Sequence, residues 1–325
     1  MKSSTEQSNR YHRRPQKRFA LSIVFTVSAV LLQSSATEGQ AYSDWSAPVS
    51  LGAAINSTAS DQQPAISKDG LSLYFASNRA GGFGGFDIYV SQRASVDDSW
   101  GAPINLGASV NTAFDEGNPA FSRDEHFMFF QSKRSSGLGG IDLWVSQREH
   151  THDDFDWQAA ANLGLGVNST ADDNGPSFFA NDEGTGAQLF FGSSRPGLGG
   201  ADLYVSDLMP DGSFGAAAPI PELNSPANEN DPSIRHDGRE IFFQSNRTGS
   251  IGLGDIWCST RGSTLDPWST PVNPGSQINT TFNEQNPYLS SDGLTLFFAS
   301  DRPGGSGGVD LYVTTRTKVR GKSDS

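Results

Sequence analysis

Short apolar runs, such as residues 71–76 and 294–299, recur along the chain, each bounded by a turn signal on one side and a glycine-rich stretch on the other. Leu73, Tyr74 and Phe75 are consecutive, so both faces of such a run are apolar. A strand with one wet face alternates strictly, whereas a strand in a sheet covered on both sides does not. Asp69-Gly70, Asp237-Gly238 and Asp292-Gly293 stand before such runs and predict tight hairpins from a preceding strand that starts at a proline. After each run come an arginine, a glycine-rich loop and an Asp-Ile/Leu-Tyr/Trp segment, which predicts a third strand. No segment shows a sustained 3.6-residue period with caps, so helix is not expected.

The third strand opens at Asp87, Asp142, Asp202, Asp255 and Asp310, giving intervals of 55, 60, 53 and 55 residues. A period near fifty with several short strands per unit predicts propeller blades. The fourth, outer strand is the aromatic-proline segment, as at Trp45 to Pro48, Trp100 to Pro103 and Trp268 to Pro271. Proline is tolerated there because an edge strand leaves amides facing solvent. One such segment precedes the first unit and none follows the last. The expected architecture is therefore all-β, a five-bladed β-propeller of four-stranded blades over residues 43–315, with the N-terminal strand completing blade five.

The phrases Ser77-Asn-Arg79, Gly85-Phe-Asp87-Ile-Tyr-Val90 and their four repeats resemble the WD-like β-propeller repeat of the TolB C-terminal domain and of many exported bacterial proteins. The resemblance spans residues 43–315 and implies the propeller fold. The chain lacks the extra N-terminal domain and sixth repeat of TolB, and no fused peptidoglycan-binding domain is seen.

Residues 1–36 read as a secretory signal: six basic residues, an apolar run at 19–32 and small residues at 34–36. The run is too short to span a bilayer. Its removal would shift the net charge from −13 to −18, because six basic residues and one acidic residue leave with it. That surface disfavours nucleic acid and anionic lipid. One cysteine, Cys258, permits no internal disulfide, so burial alone must hold the fold. A periplasmic or secreted monomer with a short tail at 316–325 is expected.

Three charges repeat in every unit. An acid stands three residues before the strand-opening proline (Asp61, Glu116, Asp173, Glu229, Glu284), an arginine ends strand two (Arg79, Arg134, Arg195, Arg247, Arg302), and an aspartate opens strand three. Each arginine is expected to pair with the aspartate across its glycine loop, with the neighbouring acid as a second partner, and the first ten side chains to form a candidate ligand-binding ring at the channel mouth. Glycosidases need two carboxylates in unequal environments, whereas these acids repeat in one motif. The sequence shows no Gly-x-Ser-x-Gly elbow and no calcium loop, and His150, His152, Asp153 and Asp154 read as a solvated turn. The reading is accordingly a non-catalytic binding module of the cell envelope for a protein or glycan, with no cofactor and no metal. A polysaccharide-acting hydrolase or lyase is the alternative.

Overall fold

The computed structural model describes residues 41–180 and 186–319. The signal expected at 1–36 and the end of the tail lie outside them. Five inner strands, Asp61–Ile66, Glu116–Phe121, Asp173–Ala180, Glu229–Ile234 and Glu284–Leu289, each begin an antiparallel sheet with the two strands that follow. These are blades one to five. There is no helix among the described residues, and so none long and apolar enough to cross a membrane.

The outer strands sit as the sequence predicts. Ile104–Asn105, Ala161–Asn162 and Ala218–Pro219 complete blades one to three, and a single bridge from Cys258 to Val272 does so in blade four. Val49–Ser50 pairs with Val313 and Tyr312, so the start of the propeller finishes its last blade. A second tie, Ala41–Tyr42 with Lys318–Val319, reinforces this closure beyond the expected limits.

The buried apolar residues form five clusters, one between each pair of neighbouring blades. Tyr74 of blade one packs on Phe121 of blade two with ring centroids 4.8 Å apart. This explains the two-faced apolar runs, because each sheet is covered by both neighbours. The outer Trp residues have a second role: Arg93, Arg148 and Arg261 lie 4.2–4.5 Å above Trp100, Trp157 and Trp268. Asn56, Asn111, Asn168 and Asn279 do more than fit a turn. Asn111, for example, accepts from the Ile88 amide at 2.8 Å and donates to the Ile88 carbonyl at 2.9 Å, imitating a strand partner.

Every inner strand carries a bulge before its proline, with register shifts such as that between Gln62 and Ala65. The bulged residue is Gln63, Asn118, Gly175, Asp231 or Asn286, with φ between 49° and 58°. Left-handed backbone disfavours most L-residues, and the short polar Asn and Asp tolerate it best. Four of the bulged residues, Asn118, Gly175, Asp231 and Asn286, line one small cavity.

Candidate functional site

All five strand-opening acids are buried, at 0–1% exposure. Asp61 accepts from the Ser57 amide at 2.6 Å, the Ser57 hydroxyl at 2.8 Å and Arg79 Nη2 at 2.6 Å. Glu116, Asp173, Glu229 and Glu284 repeat this with Arg134, Arg195, Arg247 and Arg302 at 2.6–3.4 Å. Each Arg Nη2 also donates to a carbonyl of its own blade, such as Ile55 O at 2.7 Å from Arg79. Its guanidinium lies over two aromatic rings, Phe75 and Tyr89 in blade one, both at 5.1 Å.

Of the two partners expected for each arginine, the neighbouring acid is found, while the pairing with the aspartate across the glycine loop is corrected. Asp87 instead accepts the loop amides of Phe83 and Gly84, at 2.5 and 3.2 Å. Asp142, Asp202, Asp255 and Asp310 do likewise. The loop turns its N–H groups inward, so the carboxylate is satisfied by backbone and leaves the arginine to the other acid. The glycines are required by close approach: a Cβ on Gly84 would lie 1.8 Å from Phe114 O.

Five-fold sameness breaks in the channel. The residues before the five prolines read Gln63, Asn118, Gly175, Asp231 and Asn286, one acid among amides and a glycine. Asp231 accepts from Asn118 Nδ2 of blade two and Asn286 Nδ2 of blade five, both at 2.9 Å. Desolvation pushes its pKa up to about 6, against the two amide hydrogen bonds that favour the anion.

At one end the channel widens into a cavity of about 320 Å³ to which all five blades contribute. Phe121 and Phe179 give it apolar faces, and Glu125, His236, Tyr288 and Asp292 give it polar ones. Glu125 stands where blades one, four and five have the glycine of Asp-Gly. Its φ is 59°, against 76°, 69° and 71° at Gly70, Gly238 and Gly293. A long acidic side chain is thus held where its own backbone prefers glycine, a type of strain that collects at functional sites. Its Oε1 accepts from the Lys68 amide at 2.6 Å, and burial raises its pKa despite that bond. Burial also raises the Tyr288 phenol, with the Glu125 charge adding to the shift. Asp292 is exposed, its Oδ1 fixed by Ser290 Oγ at 2.6 Å and the Leu294 amide at 2.9 Å.

Attention to the repeated acids of the sequence misses both Asp231 and Glu125. Their signals are a lone acid in the pre-proline column, and an Asp-Glu where the hairpins of blades one, four and five have Asp-Gly. In the histidine-rich turn His150 is exposed, as expected, with its Nδ1 2.9 Å from Asp156, whereas Asp154 departs from the expected solvated turn and is buried against Tyr74 and Arg148. Among the described residues no cluster of three or more His, Cys, Asp or Glu could hold a metal.

No protein-family profile matches the chain, and no curated protein matches its sequence. Solved structures do match in fold. The α-L-arabinofuranosidase PaAbf62A from Podospora anserina, in complex with cellotriose, gives a TM-score of 0.54 at 12% identity, over 85% of this chain and 97% of that one. The α-L-arabinofuranosidase from Lactobacillus brevis gives 0.56 at 12% identity, over 81% and 92%. The Bacillus subtilis arabinanase Arb43A gives 0.55 at 12% identity, over 82% and 96%. At these identities the likeness is one of fold, and it agrees with the β-propeller implied by the TolB-type repeat.

These neighbours overturn the expectation of a non-catalytic module that is not an enzyme. That expectation rested on the sameness of the repeated acids. The structure shows those acids paired within their blades, while unequal carboxylates stand elsewhere, on a fold shared with arabinofuranosidases and an arabinanase.

Proposed function

We propose that the chain is a glycoside hydrolase acting on a polysaccharide at the wide mouth of the channel. The observation that carries this is Glu125, an acid with a raised pKa held by a left-handed turn in the wall of an aromatic-lined cavity. A carboxyl whose hold on its proton is strengthened by desolvation is better suited to act as the acid towards a leaving glycosidic oxygen. Asp292, which lines the same cavity from blade five and is solvent-exposed, is the partner carboxylate. In the proposed step the anomeric C–O bond breaks and the Glu125 proton passes to the leaving oxygen. A water adds its oxygen to the anomeric carbon, and Asp292 accepts the water's proton. Phe121, Phe179 and Tyr288 offer faces against which sugar C–H groups pack.

The folds that superpose support arabinosyl polysaccharides as the first substrates to try. A polymeric substrate also agrees with export to the envelope or beyond, which the leader expected at 1–36 would provide. The test is reducing-sugar release from arabinan and arabinoxylan, and aryl α-L-arabinofuranoside cleavage, by the purified chain. Glu125→Gln is expected to lower kcat by about 10²–10⁴-fold with the fold retained. Absence of turnover on a broad glycan panel, or a Glu125→Gln variant as active as the parent, would refute the assignment.

A further inference from the structure

The waist of the channel is a second site of different chemistry. It is a cavity of about 20 Å³, lined by the prolines of all five inner strands and by Asn118, Gly175, Asp231 and Asn286. That is room for one water-sized body. Asn286 is 6% exposed, and its Nδ2 is committed to Asp231 Oδ2 at 2.9 Å, which fixes the orientation of the amide. Its Oδ1 therefore points away from that bond, and it is buried without a hydrogen-bond partner.

The Asn174 and Asn230 oxygens are also buried and unpartnered, but they face Gly192, within 3.0 Å of where its Cβ would stand, and do not line the waist. Asp231 is held by two neutral amides, and among the described residues no cationic charge offsets its burial. Buried carboxylates are ordinarily paired with a cation or a metal, and a carboxylate with an unpartnered carboxamide oxygen beside it offers the oxygen donors that hard cations select.

We propose that the waist binds one hard cation, held by the Asp231 carboxylate and the Asn286 carboxamide oxygen. A single carboxylate makes sodium the charge-neutral guest. The ion would tie blades four and five together at the axis. It requires no turnover, so its test stands apart from that of the hydrolase reading.

The full chain is melted at constant ionic strength while choline chloride is replaced by sodium chloride, or in a parallel series by calcium chloride. The midpoint is expected to rise saturably, by roughly 3–6 °C at a hundredfold excess over Kd. Asp231→Asn should melt cooperatively and show no such rise. Asn286→Asp adds a second carboxylate at a φ of 50° that aspartate tolerates, and should move the preference towards calcium. A flat response to both salts would assign the waist to water and overturn the proposal. So would an unchanged response in Asp231→Asn, or an Asn286→Asp variant with the parent's cation preference.

Discussion

The Arg316 guanidinium lies 4.5 Å from the centre of the Trp45 indole, so the end of the last blade closes on the segment that opens the propeller. Arg316 is held from the other side by Glu240 of blade four, at 2.5 and 2.8 Å. Trp45 also meets Phe242 of that blade edge-on at 5.9 Å. The ring is therefore sealed by an aromatic side chain, a buried cation and a buried acid as well as by strand pairing.

Trp45→Ala should weaken that seal. A half-buried Trp with one cation–π contact and one aromatic contact predicts a loss of about 2–4 kcal/mol. Urea unfolding of the variant beside Leu265→Ala, which removes an exposed side chain, measures it. A change no larger than that of the control would mean that the backbone pairing of Val49–Ser50 closes the ring unaided.

Removing one arginine from a repeated pair should be severe, since it strands a buried acid. Asp173 is fully buried and its Oδ1 takes both Ser193 Oγ, at 2.5 Å, and Arg195 Nη2, at 2.6 Å. Arg195→Met is expected to cost about 3–5 kcal/mol. Lysine should restore only part of it, because the stack over Phe191 and Tyr204 needs a planar group. Equal stability of the Met variant and the parent in chemical denaturation would contradict this account of the motif.

Asp231 makes stability depend on pH in a direction opposite to that of a salt-bridged acid. Its pKa rises on folding from 3.8 to about 6, so the folded state favours the protonated form. Below about pH 3 the group is neutral in both states and exacts no penalty. The penalty grows as pH rises through the window and reaches about 3 kcal/mol above it. In sodium-free buffer Asp231→Asn should exceed the parent in stability at about pH 7.5 and match it near pH 3. Melting curves that run parallel across this range would exclude a raised pKa at this position.

The five blades were legible because each carries its own punctuation, a proline, a hairpin turn and a glycine loop at a fixed period. Closure was legible as well, from an unmatched Trp45 segment at one end. The partners of the charges were legible only in part, since a string of residues does not say that the loop's amides will converge on Asp87 and free Arg79 for Asp61. The channel residues escaped for another reason. Asp231 and Glu125 each depart from a repeat at one position, and reading for what recurs passes over what differs.

The apolar residues that hold this protein lie in five seams between neighbouring blades, and the waist of the axis carries amides, a glycine and one acid beside the strand prolines. Cohesion and polar chemistry are therefore housed apart at the waist, while Phe121 and Phe179 belong to both a seam and the wide cavity. Substitution along the bore can retune what the molecule recognises while the seams go on holding it shut, so a single scaffold can change its clientele without having to be rebuilt.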